Sequence, residues 1–235
     1  MNFTPLGDSA VTITLASSID ERSHRVVRAA LRRIRAAALP GIVDLVPAFT
    51  SIAVHYDPVQ IDADPRTGDA GSSPYGRLVA GLEAVLRELS DEPLPAARIV
   101  EIPVCYGGDL GPDLDDVARQ HDMAVDDVVA VHAGGDYLVY MIGFMPGFAY
   151  LGGLDSRIAT PRRQSPRTAV PAGTVGIGGS QTGVYPLVSP GGWNLIGRTP
   201  LAIFDPARQK PTLLDAGDRV RFRPIALDEF RDWRS

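Results

Sequence analysis

The sequence predicts an α+β chain in two parts: about ninety residues in which strands and helices alternate, then short strands joined by glycine- and proline-rich turns, the pattern of a β-barrel or sandwich. Three observations carry this expectation. Apolar periodicity switches between two and 3.6 residues over the first ninety positions. The linker-like run "SDEPLPAA" (90–97) then divides the chain. Beyond it, fourteen of the 24 glycines fall between Gly134 and Gly197, so the unusual backbone is concentrated in one region.

In the first part, "AVTITL" (10–15) and "SIAVHY" (51–56) alternate as half-buried strands do, the second placing Ile52, Val54 and Tyr56 on one face. Between them Val27, Ala30, Leu31, Ile34, Ala37 and Ala38 recur at helical spacing, with Ser18 and Glu21 as a capping box and "LPG" (39–41) as the stop. Arg25, Arg28, Arg32 and Arg35 stripe the polar side, a solvated face or a partner surface. "DADPRTGDAGSSPYG" (62–76) reads as a loop, and Leu78, Leu82, Val85, Leu86 and Leu89 mark a second amphipathic helix.

In the second part, "RIVEIPVCY" (98–106) reads as a strand, followed by short helices at 112–121, with Asp113 as N-cap, and at 124–133. "YLVYMI" (137–142) is strand-like. "GFMPGFAYLGGLD" (143–155) then packs four glycines, a proline, two phenylalanines and a tyrosine into thirteen residues, where neither helix nor plain strand wants them.

At 235 residues the chain should bury roughly 70–75% of its unfolded surface without staples. The net charge of −5 argues against a nucleic-acid binder, and no run of about 18 apolar residues is present to span a bilayer. The opening "MNFTPLGDSAVTITL" lacks the pattern of a secretory signal, and the chain is expected to be cytoplasmic. Cys105 is the only cysteine, which rules out an internal disulfide and a cysteine-based metal site and suits a small buried residue. Lys210 is the only lysine, so there is no Walker A lysine.

Chemistry is expected in the glycine-rich region. Phe144, Phe148 and Tyr150 stand beside Pro146 and Gly147; Arg162, Arg163 and Arg167 sit among stiffening prolines; Gly178, Gly179, Ser180, Gln181 and Asn194 are short groups along a glycine string. Glycines let backbone N–H groups approach an anion, and arginines bind carboxylate or phosphate bidentately. The combination fits a small anionic ligand, while the same glycines also suit barrel corners and the same arginines surface ion pairs. His132, at the end of the second short helix, suits either a C-terminal cap or a proton carrier. The remaining histidines have no metal-site spacing, and no metal ligands are assigned.

"VYMIGFMPGFAYLGGLD", "IATPRRQSPRTAVPAGTVGIGGSQTGVYPLVSPGGWNLIGRTPLAIFDP" and "LLDAGDRVRFRPI" strongly resemble the family of the B-type 5-oxoprolinase subunits, also described as the kinase A inhibitor or allophanate hydrolase subunit 1 family. The likeness is dense over residues 98–227 and departs at Met145, where a threonine is expected, and at Ala124, where a capping serine is common. It implies a ferredoxin-like domain (1–96) followed by a cyclophilin-like β-barrel (97–235). It further implies one component, inactive alone, of an ATP-dependent hydrolase that opens 5-oxo-L-proline to L-glutamate together with C-type and A-type 5-oxoprolinase subunits. ATP would come with Mg²⁺, its site completed by the partner. Related domains occur in urea carboxylase, so urea or allophanate is an alternative substrate. Another member blocks autophosphorylation of a histidine kinase, which offers a regulatory alternative. On the enzyme reading, His132, Arg163 and Gln181 are the catalytic candidates, with the other residues named in the glycine-rich region holding substrate or nucleotide. Arg162, Arg163 and Arg167 would supply positive charge, and the N–H groups of 178–181 would act as donors.

Overall fold

A computed structural model of the chain describes residues 1–63, 73–87, 89 and 96–233. It divides into two units, Met1–Ala96 and Ala97–Ser235. The sequence-derived loop at 62–76 and linker at 90–97 lie largely outside the described residues.

The first unit is an antiparallel sheet of β1 (Asn2–Pro5), β2 (Ala10–Thr14), β3 (Ile42–Pro47) and β4 (Ser51–Tyr56), in the order β1-β2-β4-β3. Helices α1 (Glu21–Ala37), α2 (Pro58–Ala63) and α3 (Pro74–Leu86) complete it. Val11, Ile13, Ile52 and Val54 from the sheet meet Val27, Leu31 and Ile34 of α1 and Leu78, Leu82 and Leu86 of α3 in one core. The capping box expected from Ser18 and Glu21 is replaced by Asp20, whose carboxylate accepts from the Ser23 N–H at 2.7 Å and from the Ser18 hydroxyl at 2.6 Å. Its pKa falls to about 2 because the Ser18 hydroxyl and the Ser23 backbone both donate to the ionised form. Helix α1 stops at Ala38, in the left-handed region at φ 44°, just before the expected "LPG".

The second unit is a closed seven-stranded barrel. Its strands are β5 (Ile99–Tyr106), β6 (Tyr137–Ile142), β7 (Ala149–Gly152), β9 (Thr174–Gly178), β10 (Gln181–Val184), β12 (Asn194–Arg198) and β13 (Arg219–Pro224). They run in the order β10-β7-β6-β13-β5-β12-β9, closed by the β9–β10 pair; every pairing is antiparallel except β5 with β13. A two-stranded ribbon, β8 (Arg167–Val170) with β11 (Ser189–Gly191), is separate from the barrel. Helices α4 (Leu114–Gln120), α5 (Val125–Ala133) and α6 (Leu227–Asp232) flank the strands. Ile102, Val104, Val139, Leu151, Val175, Ile177 and Val220 fill the core with Leu114, Val117 and Val128 from α4 and α5. Cys105 is buried. Among the described residues no helix is long and apolar enough to cross a membrane.

Two glycines show how tightly the units are packed. A Cβ on Gly111 would lie 2.2 Å from the Ile196 carbonyl oxygen, a backbone atom that cannot swing away. A Cβ on Gly81 in α3 would meet only Leu39 side-chain carbons, at 3.5 Å and beyond. Gly111→Ala should therefore cost on the order of 2–3 kcal/mol. Gly81→Ala should be neutral or stabilising by up to about 1 kcal/mol, through helix propensity. Denaturant midpoints of the two variants check this, and equal shifts in the same direction would contradict the packing described.

Candidate functional site

The region from residue 143 to residue 193 folds into a cleft of about 350 Å³ on the barrel unit. Strands β6 and β7 form a hairpin whose loop, 143–148, is closed by the Gly143 N–H donating to the Phe148 carbonyl at 3.0 Å. Within that loop Phe144 is held at φ 71°, a conformation that costs a bulky residue on the order of 1 kcal/mol or more. Its ring is 71% exposed and stands edge-on to Phe148, 5.6 Å between centroids. Strain held at an exposed aromatic points to a job for that ring outside the core.

Phe148 is the hub of the aromatic bed. Its ring meets Tyr150 at 5.1 Å, Trp193 at 5.7 Å and Tyr185 at 6.0 Å, all edge-to-face. Two glycines allow this. A Cβ on Gly178 would lie 2.4 Å from the Trp193 indole, and one on Gly191 would lie 2.5 Å from the Tyr185 hydroxyl. Burial raises the Tyr185 pKa, partly offset by a hydrogen bond with the Trp193 backbone and then by the positive charges of Arg162 and Arg167.

The rim is polar and carries Arg162 and Arg163, with Pro166, Pro190 and Gly192 completing the wall. This irregular segment is fixed by Asp113, which is 3% exposed. Its Oδ1 accepts from Arg163 Nη1 at 2.9 Å and Arg167 Nη2 at 2.7 Å, and its Oδ2 accepts from the Leu195 N–H at 2.7 Å. The expected capping role is thus corrected: Asp113 occupies the N-cap position of α4 but makes no side-chain cap, its carboxylate being drawn into a three-donor ion network instead. Asn194 adds a second tie, its amide donating to the Pro161 carbonyl at 2.9 Å and the Ile177 carbonyl at 3.2 Å.

The structure brings Phe144, Phe148, Tyr150, Arg162 and Arg163 together at the cleft and places the other sequence candidates elsewhere. Pro146 and Gly147 belong to the hairpin loop, where Gly147 takes φ 79° and lies against Phe204. Arg167 and Asn194 stand behind the rim as ties. Gly179 and Ser180 are the two-residue tip of the β9–β10 hairpin, flanked by the Gly178–Gln181 pair, with Gly179 at φ 65° as a type II′ turn requires. These four residues do not line the cleft.

His132 lies in the barrel core with no exposed surface, on the last turn of α5. The Thr182 hydroxyl donates to the Gly176 carbonyl at 3.0 Å, so its 2.8 Å contact with His132 Nε2 is one it accepts. That assigns the proton to Nε2, leaving Nδ1 to accept from the Tyr106 hydroxyl at 2.8 Å. Burial pushes the imidazole pKa down to about 3, and the Phe222 ring lies 4.6 Å away. Both nitrogens are used, and the group is away from the cleft lining.

Sequence reasoning missed Tyr185, Gly191 and Gly192, together with Trp193, Pro166 and Pro190, as lining residues, and Asp113 as the tie. "GVYPLVSPGGW" carried a signal for the first three, aromatics spaced by glycines as in 143–153. Asp113 had none, since its arginine partners lie 50 and 54 residues away.

The antiparallel-rich barrel thus carries an arginine-rimmed aromatic cleft, and its relatives give its class. The model of the carboxyltransferase domain, subdomain C and D, matches residues 1–214. The B-type 5-oxoprolinase subunit of Bacillus subtilis is 46% identical over 97% of this chain and 95% of its own length. The protein of the same name from Haemophilus influenzae is 43% identical over 94% of this chain and 97% of its own. The crystal structure of TTHA0988 superposes with a TM-score of 0.76 at 37% identity, covering 92% of this chain, which spans only 40% of that longer one. The chain belongs to the carboxyltransferase-domain family and, within it, stands with the B-type 5-oxoprolinase subunits.

Between pH 6.5 and 3 an unfolded His132 holds a proton that the folded one refuses, so stability falls as pH falls through this window. The slope from this group is at most about 1.4 kcal/mol per pH unit. Urea midpoints measured from pH 7 to pH 4 should fall more steeply for the parent than for His132→Gln, which has no ring to protonate. Parallel curves would show that His132 is not held neutral.

Proposed function

We propose that this chain is the B-type subunit of an ATP-dependent 5-oxoprolinase, a hydrolase of a cyclic amide that opens 5-oxo-L-proline to L-glutamate. It works with C-type and A-type subunits and is inactive alone. The observation that carries the reading is the cleft: an aromatic bed suited to a small uncharged lactam ring, rimmed by arginines suited to its carboxylate. Near-full-length identity of 46% to a protein named for that enzyme supports it.

A lactam resists water because amide resonance leaves a poor electrophile, and phosphorylating its oxygen removes that resonance. This chain's share is to hold the ring against Trp193 and Tyr150, to place the carboxylate at the arginine rim, and to keep bulk water from the ring. Among the described residues no group of three or more His, Cys, Asp or Glu is placed to hold a metal ion. In this reading ATP comes with Mg²⁺, and the partner subunits complete their site. ATP as co-substrate goes with a cytoplasmic location. Gln181 and His132, both away from the cleft lining, serve the barrel in this reading, and the arginine rim and the aromatics serve the ligand.

Finer fold assignments follow. In the first unit β2, α1, β3, β4 and α3 give a βαββα run, and β1 takes the edge beside β2 that a last strand would hold in a ferredoxin-like sheet. The closed barrel supports a cyclophilin-like second domain.

Purified alone, the chain should hydrolyse ATP negligibly with or without 5-oxo-L-proline. Mixed with its C-type and A-type partners it should support ATP hydrolysis that depends on 5-oxo-L-proline. In that assembly, at a temperature where the variant stays folded, Tyr150→Ala should lower kcat/KM at least tenfold, about 1.4 kcal/mol of transition-state binding. Turnover by the chain alone, or a Tyr150→Ala complex within twofold of the parent, would contradict the proposal.

A further inference from the structure

Arg162 and Arg163 are neighbours in sequence and alike in chemistry, yet their surroundings commit them to different work. Arg163 donates to the Asp113 carboxylate from Nη1 at 2.9 Å, and Arg167 donates to the same oxygen at 2.7 Å. A ligand carboxylate arriving at Arg163 would compete with a buried carboxylate already bonded there. Arg162 is exposed and makes no ion pair among the described residues.

The backbone on both sides of Arg162 is pinned. The Pro161 carbonyl accepts from the Asn194 amide at 2.9 Å, and the Arg163 N–H donates to the Gly192 carbonyl at 2.7 Å. The Arg162 guanidinium carbon stands 6.0 Å from the centre of the Trp193 ring, the aromatic that Gly178 and Phe148 set in place. Attraction between the cation and the ring face, on the order of 0.5–1 kcal/mol at an exposed site, biases a planar fork toward the aromatic bed. Its positive charge also acts on Tyr185, across the cleft lining.

We infer that Arg162 is the carboxylate receptor of the cleft and that Arg163, tied to Asp113, is a positioning residue that holds the rim in place. This rests on the reading that the cleft takes a small carboxylate, and it divides between two residues a task that sequence alone gives to three.

The chain has two tryptophans, so Trp233→Phe leaves Trp193 as the sole emitter in the lining. In the complex with the C-type and A-type partners, supplied in tryptophan-free form, Trp193 emission is titrated with 5-oxo-L-proline and with 2-pyrrolidinone, the same ring without the carboxylate. Arg162→Ala should weaken the response to 5-oxo-L-proline at least tenfold and leave that to 2-pyrrolidinone within twofold, with no change in melting temperature. Arg162→Lys should recover only part of the loss, because a point charge does not replace a fork. Arg163→Ala should lower the melting temperature by several degrees while keeping the parent's preference for the carboxylate. The inference is overturned if Arg162→Ala keeps that preference, if Arg163→Ala abolishes it at unchanged melting temperature, or if Trp193 gives no saturable response in a complex that turns over. Should Arg162→Ala remove a response that the parent shows in a complex without turnover, the receptor stands and the 5-oxoprolinase reading falls.

Discussion

The cleft depends on one buried carboxylate. Burying an ionised group without partners costs several kcal/mol, so Asp113 is tolerated only where its oxygens are met. Arg163, Arg167 and the Leu195 N–H meet them, and the Asp113 N–H in turn donates to the Leu195 carbonyl at 2.9 Å. That single side chain joins the start of α4, strand β12 and the proline-rich segment 161–167. A stretch with no regular hydrogen-bonded structure over 161–166 is thereby held in one conformation, and the rim of the cleft is its outer surface.

Packing supplies the floor. Phe148 touches four other rings edge-on, and such contacts are directional, each worth roughly 0.5–1.5 kcal/mol beyond burial. They persist because Gly178 and Gly191 present no Cβ where Trp193 and Tyr185 must lie. The second buried polar centre, around His132, contrasts with the first. Its imidazole, Thr182 and Tyr106 satisfy one another inside the barrel, so it stiffens the scaffold and presents nothing to a ligand. The Asp113 network satisfies its carboxylate but leaves a neighbouring arginine turned to the cleft.

How far this was legible in the sequence follows from the range of the forces involved. The strands at 51–56 and 137–142 and the apolar stripe of α1 are encoded by local periodicity, and they stand where that periodicity places them. The α1 cap was misassigned by two residues, because Ser18, Asp20 and Glu21 offer competing local partners and only geometry selects Asp20. The density of glycine marked the stretch from Gly134 to Gly197 as unusual, and it contributes every residue of the cleft lining. Composition did not separate the glycines that make room for Trp193 and Tyr185 from the hairpin tip at Gly179. Nor did it distinguish Arg162 from Arg163, since the difference lies in Asp113, 50 residues before Arg163 in the chain.

The central claim is that Asp113 holds the rim of the cleft rather than the barrel. Amide hydrogen exchange of Asp113→Asn against the parent tests it most directly. The account predicts faster exchange at the Arg163 and Leu195 amides, which donate to Gly192 and Asp113, with strands β9 and β10 as protected as in the parent. Unchanged protection at Arg163, or an equal loss across the barrel strands, would contradict it.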